Sequence, residues 1–176
     1  RTVFAIGGGG VAYAHGVAAN SREFRDLMAR YYVAQLEHRI SALDPPLPLD
    51  SPGVGRYLDD PRVTSFVIPY SDDTQRMRIA VERCRKKGWL SKAYFYPVDE
   101  PASAESYARL KECADRIHGI DRSLMVVSPF YRGPDFATDR TIYELLDGYL
   151  DIWCPNIQFF DEQAVQAKRA KGEEVW

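Results

Sequence analysis

The sequence has little of what marks several large classes of protein. Its formal net charge is only −2 over 176 residues, and the basic residues are scattered, so nothing favours nucleic acid or an anionic membrane as a partner. No apolar run approaches the roughly 20 residues of a membrane span. The three cysteines are odd in number and far apart, which predicts buried thiols. No spacing of histidine and cysteine predicts a metal site, and we expect no cofactor.

What the sequence does have is an apolar and aromatic composition. Hydrophobic residues make up 45% of the chain and aromatic residues 12%, which is typical of a globular protein. The length is sufficient for one domain with a sizeable core. The chain begins at Arg1, without Met or a signal peptide, so we interpret it as a processed or trimmed piece of a longer protein. Its compartment, secreted or cytoplasmic, stays open.

Strand-like and helix-like segments alternate along the chain. The predicted strands are Thr2–Ile6, Ile40–Leu43, Val63–Ile68, Lys92–Val98, Leu124–Val127, Ile152–Cys154 and a segment that starts at Glu174. The predicted helix N-caps are Asn20, Ser71, Thr138 and Asp161, and the predicted stops are Gly88 and Gly119. This alternation predicts an α/β fold with parallel strands.

The distribution of loops favours one α/β architecture over another. The long loops all follow strands, at 44–61, 69–72, 99–102, 128–138 and 155–161, whereas the loops before strands are short. Elaboration of one face favours a (β/α)8 TIM-type barrel over an open doubly wound sheet. About six and a half of eight units are present. We therefore interpret residues 1–176 as a single domain, an incomplete barrel truncated at its C-terminus, whose open edge predicts a chain–chain contact.

The most informative segment is Tyr94–Pro101. An aromatic strand ends in two adjacent carboxylates, Asp99 and Glu100, and a proline then blocks its continuation. Adjacent carboxylates repel one another, which favours a proton on one of them. A proton donor beside an anion is what glycoside hydrolysis requires. The alternative interpretation is a solvated turn that starts a helix.

The segment Lys92–Pro101 resembles the catalytic strand of glycoside hydrolase family 123, and two later segments, Asp151–Asn156 and Gly172–Trp176, resemble the same family. The resemblance implies an exo-acting β-N-acetylgalactosaminidase with substrate-assisted catalysis, in which the sugar's own 2-acetamido oxygen attacks the anomeric carbon. It implies that Glu100 is the general acid and then the base. It also implies that Asp99 orients the acetamido N–H and stabilises the developing positive charge. The implied partner is a carbohydrate substrate, either a glycan or a glycolipid.

Other residues near strand ends are candidates for substrate binding. Tyr131 follows the fifth strand and can donate to the acetamido oxygen, or it is an exposed loop tyrosine. The indoles of Trp153 and Trp176 can stack on a sugar, although Trp153 fits the core equally well. Asn156 can bind hydroxyl groups. His15 lies in the first strand-to-helix loop, where it can line the pocket.

Two features of the first half have weaker functional interpretations. The run Gly7–Gly10, with Ala12, matches the dinucleotide pattern G-x-G-x-x-A. We expect a mobile loop instead, because no helix opens directly on these glycines and the expected ribose-binding acid lacks its strand context. Asp44 follows the second strand, and we expect it to cap a turn more readily than to bind a sugar hydroxyl.

Two further functions stay open at this point. One is a retaining glycosidase with two enzyme carboxylates, in which Glu100 is the acid/base and the nucleophile lies beyond Trp176. The other is a non-catalytic barrel fragment that only binds carbohydrate. The galacto configuration of the sugar rests on the resemblance alone.

Overall fold

The computed structural model describes residues 3–176, so Thr2, the predicted start of the first strand, lies outside the described residues. The chain divides into two compact units. The first unit contains residues 1–67 and 83–93, and the second contains residues 68–82 and 94–176. Parallel strands alternate with helices, which makes the chain a mixed α/β protein as predicted.

The seven predicted strands are found in the predicted order, mostly shorter than expected. They are β1 (Val3–Phe4), β2 (Ser41–Ala42), β3 (Phe66–Val67), β4 (Ala93–Tyr94), β5 (Val127–Phe130), β6 (Ile152–Pro155) and β7 (Glu174–Val175). The helices are α1 (Gly8–His15), α2 (Arg22–Glu37), α3 (Gly55–Leu58), α4 (Thr74–Lys86), α5 (Ala104–His118), α6 (Ile142–Leu145) and α7 (Glu162–Ala170). Single 3₁₀ turns occur at Leu90–Lys92 and Ile157–Phe159.

The strands form three small parallel sheets, β1–β2, β3–β4 and β5–β6–β7, and no closed barrel is found among residues 3–176. In the third sheet, β5 pairs with β6 from Val127 opposite Ile152 to Phe130 opposite Pro155. An isolated parallel bridge joins Phe95, just after β4, to Val126, just before β5. The described strands therefore confirm the parallel βα order, whereas the barrel itself is not closed by them.

Three of the four predicted N-caps are displaced toward the C-terminus. Helix α2 is capped by Ser21 instead of Asn20, because the Ser21 Oγ accepts from the Phe24 N–H at 3.0 Å. Asp73 takes the place of Ser71 before α4, and its Oδ1 accepts from the Gln75 N–H at 2.9 Å. In each of these two cases another good cap residue stands one or two positions further on, so composition alone does not choose between them.

The third displaced cap has a stronger local reason. Thr141 replaces Thr138 before α6, where Thr141 and Glu144 form a reciprocal capping box that Thr138 does not form with its own third neighbour. The fourth predicted cap, Asp161 of α7, is confirmed, and its carboxylate accepts from the Ala164 N–H at 2.9 Å. Gly119 follows α5 as predicted.

The prediction of a mobile loop at Gly7–Gly10 is wrong, because α1 opens at Gly8 with Gly7 as its N-cap. Packing explains the position of Gly8: a Cβ added there would lie 3.0 Å from the Phe24 ring of α2. Tertiary contact with α2 thus overrides the low helix propensity of glycine. One consequence is that His15 lies in the last turn of α1 and not in a loop.

The core of the second unit is centred on Trp153 of β6, whose side chain is 0% exposed. The Tyr143 ring stacks on the indole at 5.2 Å between centroids, and the Phe130 ring meets it edge-on at 6.4 Å. The Lys168 Nζ lies 4.4 Å from the indole and is paired with Asp147. None of the helices found in residues 3–176 combines the length and the apolarity that a membrane crossing requires.

Truncation of the buried Ile117 in α5 should destabilise the protein. Ile117→Ala leaves a cavity at a side chain that is 0% exposed, and we expect a loss of about 2–5 kcal/mol in the free energy of unfolding. The control is Ile79→Ala in α4, where the side chain is 61% exposed and the loss should stay within about 0.5 kcal/mol. Urea denaturation followed by circular dichroism measures both, and equal losses would contradict the packing described.

The pairing of Asp147 with two lysines should make stability depend on pH. Hydrogen bonds from Lys168 and Lys171 hold the pKa of Asp147 at about 2, below its ordinary value of 3.8. Because this pKa is depressed in the folded state, the stabilisation is present above 3.8 and is lost as the pH falls toward about 2. The destabilisation by Asp147→Asn in urea denaturation should therefore be largest near neutral pH and shrink toward pH ~3. Asp139→Asn is the control, because the exposed Asp139 carboxylate has no partner among residues 3–176. An effect of Asp147→Asn that is the same at both pH values would contradict the pairing.

Candidate active site

The chain segment after β4 is held in place by β5. Phe95 is fully buried, its N–H donates to the Met125 carbonyl at 2.8 Å, and the Val127 N–H donates to the Phe95 carbonyl at 2.9 Å. Three residues further on, the buried Ser128 hydroxyl of β5 donates to the Val98 carbonyl at 2.8 Å. These bonds fix the backbone that leads directly to the two exposed carboxylates.

The first carboxylate, Asp99, is bound by a tyrosine from the same strand segment. The Tyr96 hydroxyl donates a hydrogen bond to the Asp99 Oδ1. Burial, followed by this hydrogen bond, raises the pKa of the Tyr96 phenol well above its ordinary value. Tyr96 consequently stays protonated and keeps donating over the pH range in which proteins are folded. The other oxygen, Oδ2, has no hydrogen-bond partner in the described part of the chain.

The second carboxylate, Glu100, has a strained backbone. Its φ is +44°, in the left-handed region, and Arg39 is the only other non-glycine residue of positive φ among residues 3–176. A non-glycine residue in this region costs roughly 1–2 kcal/mol. The Glu100 side chain is exposed and forms no hydrogen bond or ion pair with another described residue. No stabilising contact of the side chain compensates the strain, which is a pattern found at functional positions.

An aromatic pair joins β4 to the residue that follows β7. The ring of Tyr94, on β4, meets the indole of Trp176 edge-on, with 5.1 Å between centroids. Trp176 is half-buried directly after β7, and its Nε1–H donates to the Glu174 carboxylate at 2.8 Å. Part of the indole therefore stays accessible beside a buried tyrosine.

The two loops after β5 and β6 carry two of the predicted contact residues. Tyr131 is 43% exposed, with the Arg132 guanidinium 5.7 Å from its ring. Asn156 is exposed and caps the 3₁₀ turn through its side-chain oxygen, which accepts from the Gln158 N–H at 3.0 Å. Its side-chain NH₂ group stays available to a ligand, because the cap uses only the oxygen.

Trp153 does not have the free ring face that sugar stacking requires. It is fully buried, it contacts Tyr143, Phe130 and Lys168, and its Nε1–H donates to the Glu173 carboxylate. The sequence left open whether Trp153 stacks on a sugar or belongs to the core, and the structure places it in the core. The physical reason is its position on the central strand β6, between β5 and β7.

The second unit contains five of the predicted site residues, each on a segment that follows a parallel strand. Because β4, β5, β6 and β7 are parallel neighbours, their carboxyl ends lie at one edge. That edge carries Asp99, Glu100, Tyr131, Asn156 and Trp176. His15 belongs to the first unit, at the end of α1, where its Nε2 shares a hydrogen bond of 3.0 Å with the Tyr31 hydroxyl.

Sequence reasoning missed Tyr96 and Ser128 as parts of this site. A signal for Tyr96 was present, because it stands three residues before Asp99 and alternates with the buried Phe95. Ser128 gave no signal, since its hydroxyl bonds to a backbone carbonyl 30 residues away.

The arrangement places one carboxyl group held by a hydrogen bond next to one that is unpaired. Asp99 is oriented by Tyr96, and Glu100 is unpaired and open to solvent. Within residues 3–176, no group of three or more histidine, cysteine, aspartate or glutamate side chains is placed to hold a metal ion.

Comparison with known proteins adds no family to this geometry. No protein-family model matches the chain, and no curated protein matches it at a significant level.

Relief of the backbone strain at position 100 should stabilise the protein. Glu100→Gly removes the cost of the left-handed conformation, partly offset by the greater entropy of glycine in the unfolded chain, and we expect a gain of about 0.5–1 kcal/mol. Glu105→Gly, in the first turn of α5, should instead lose up to about 1 kcal/mol.

Glu100→Ala separates the effect of the backbone strain on stability from the effect of the charge. It removes the carboxylate but keeps a residue with a Cβ in the left-handed conformation. Chemical denaturation of all three variants gives the comparison. A Glu100→Gly protein no more stable than Glu100→Ala would show that the backbone at position 100 is not strained.

Proposed function

We propose that the chain is the catalytic part of a glycoside hydrolase that removes a β-linked N-acetylhexosamine, with N-acetylgalactosamine as the preferred sugar, by substrate-assisted retaining catalysis. The observation that carries this proposal is the contrast between the two adjacent carboxylates. Asp99 is held by Tyr96 with one oxygen open, whereas Glu100 is strained, exposed and unpaired. The resemblance of this segment to glycoside hydrolase family 123 agrees with that contrast.

The proposed roles follow from what each carboxylate can do. The open Oδ2 of Asp99 accepts the N–H of the sugar's 2-acetamido group and turns the acetamido oxygen toward the anomeric carbon. Its negative charge stabilises the oxazolinium-type intermediate that forms as the glycosidic bond breaks. Glu100 gives its proton to the departing oxygen and then takes a proton from the water that opens the intermediate. The protein supplies no nucleophile in this scheme.

The aromatic and amide groups of the same edge have binding roles in this proposal. Trp176, beside Tyr94, offers an apolar surface to the C–H bonds of the sugar. The Asn156 side-chain NH₂ and the Tyr131 hydroxyl can donate to hydroxyl and acetamido oxygens.

The order of the strands supports an incomplete TIM-type barrel as the scaffold. In every pairing found within residues 3–176, the partner of a strand is the next strand along the chain. A doubly wound sheet reverses its strand order at a switch point, and a barrel does not. The position of both carboxylates after a strand also fits the face on which such barrels carry their active sites.

The acids at β7 do not favour a two-carboxylate mechanism. The carboxylates of Glu173 and Glu174 each accept an indole N–H, from Trp153 and Trp176 respectively. These two contacts leave the two-carboxylate alternative with a nucleophile beyond Trp176, and the comparison of two sugars below tests it.

Substitution of the two carboxylates should separate their roles. Glu100→Gln removes the proton donor, so kcat/KM for a substrate with a poor leaving group should fall by about 10²–10⁴. A nitrophenyl glycoside needs little protonation and should lose far less. Asp99→Asn weakens charge stabilisation and should slow both substrates alike, by about 10²–10³. Glu105→Gln, an exposed glutamate five residues away, is the matched control and should leave both rates unchanged.

A comparison of two sugars tests the nucleophile. The 2-acetamido glycoside should be hydrolysed, and the analogue with a 2-hydroxyl should not. Rapid hydrolysis of the 2-hydroxyl analogue, or a sugar covalently attached to the protein in mass spectrometry, would establish the two-carboxylate mechanism instead. Binding of the sugar without hydrolysis of either substrate would leave a carbohydrate-binding module as the function.

A further inference from the structure

The first unit contains a cavity of about 200 Å³ where β1 and β2 end. Its walls come from Gly8 at the start of α1, from the α2 residues Met28, Tyr31 and Gln35, and from the segment 43–46 after β2. None of these residues has a role in the chemistry proposed for Asp99 and Glu100. The cavity therefore needs an explanation of its own.

Asp44 gives the cavity an unpartnered charge. It lines the cavity, and it makes no hydrogen bond or ion pair with another described residue, so it does not cap the turn as the sequence predicted. Its side chain keeps contact with solvent, yet the surrounding walls remove enough water to raise the pKa of the carboxyl above its ordinary value. An acceptor held in this way is available to a ligand that donates hydrogen bonds.

Three glycines next to Gly8 in the sequence, Gly7, Gly9 and Gly10, are not explained by the fold. A Cβ added at Gly7, Gly9 or Gly10 would meet no atom within 4 Å, and none of the three has a positive φ. Gly9 and Gly10 nevertheless cost the α1 helix about 1 kcal/mol each relative to alanine. Neither packing nor backbone conformation requires them, whereas the approach of a ligand does benefit from missing side chains.

The polar atoms of the walls define the chemistry of the ligand. Among residues 3–176, no lysine, arginine or histidine lines the cavity, which argues against a phosphate or carboxylate ligand. One N–H of the Gln35 side-chain amide donates to the Phe4 carbonyl at 2.9 Å, and the Gln35 Oε1 is a second acceptor at the cavity. The Tyr31 hydroxyl, already bonded to His15, can exchange a further hydrogen bond.

We propose that this cavity is a subsite for one uncharged sugar ring. The hydroxyls of the sugar donate to Asp44 and to the Gln35 Oε1, and its C–H face packs on Met28 and on the ring of Tyr31. The choice of a sugar among uncharged polyols rests on the proposed glycosidase function.

The experiment is an NMR titration of the ¹⁵N-labelled protein with N-acetylgalactosamine and galactose, free sugars that have no glycosidic bond to be hydrolysed. The backbone amides of Gly8–Gly10 should shift on addition of sugar. Asp44→Asn should weaken this binding about tenfold, as expected for the loss of a charge-assisted hydrogen bond. Asp50→Asn, an exposed aspartate in the same loop, is the control and should bind as before. If Asp44→Asn does not fold, Tyr31→Phe keeps the ring, removes one hydroxyl and should also weaken binding.

Each remaining outcome decides between the two proposals. Unshifted glycine amides in a protein whose wild type hydrolyses acetamido sugars would overturn the subsite and leave the proposed function standing. Shifted glycine amides in a protein without hydrolytic activity would overturn the proposed function and leave the subsite standing. If n-butylamine shifts the glycine amides and the sugars do not, the cavity is a cation site and the proposal is wrong.

Discussion

The backbone pairing of Phe95 with the strand beside it is the constraint on which the candidate site depends. Its N–H and carbonyl are both bound, to Met125 and Val127, while its side chain is fully buried. This pairing sets the register of the segment that follows, so that the Ser128 hydroxyl reaches the Val98 carbonyl. A shift of one residue would turn Phe95 toward solvent and move both carboxylates, which makes the register costly to change.

The candidate site combines paired strands that support it with a strained backbone at Glu100. Roughly 1–2 kcal/mol of backbone strain at Glu100 is a noticeable fraction of the 5–15 kcal/mol by which domains are stable. The second unit tolerates this strain because its core is well packed around Trp153, where Tyr143, Phe130 and Lys168 all contact one side chain. The candidate site residues can then lie on the loops that follow the strands, since the strands beneath them carry the stability.

The strands, helix α1 and the helix caps show how much of this fold the local sequence pattern could predict. The order of the strands could be predicted from the sequence. Runs such as Val63–Ile68 are short, apolar and rich in β-branched residues, and turn-forming residues stand directly beside them in the sequence. Helix α1 was missed because four glycines predict a loop, and the close approach of the Phe24 ring that accounts for Gly8 comes from another helix. The caps were displaced where two good cap residues compete and side-chain geometry decides.

The sequence by itself determined the alternation of strands and helices and the position of an Asp99–Glu100 pair directly after an aromatic strand. Both are local properties, because hydrophobic period and turn chemistry act over a few residues. Only the tertiary structure decided that Trp153 lies in the core, that the unpartnered Asp44 lines a cavity, and that the backbone of Glu100 is in the left-handed region. Those outcomes depend on atoms that come from other strands and helices, and the spacing of residues along one segment carries no information about them.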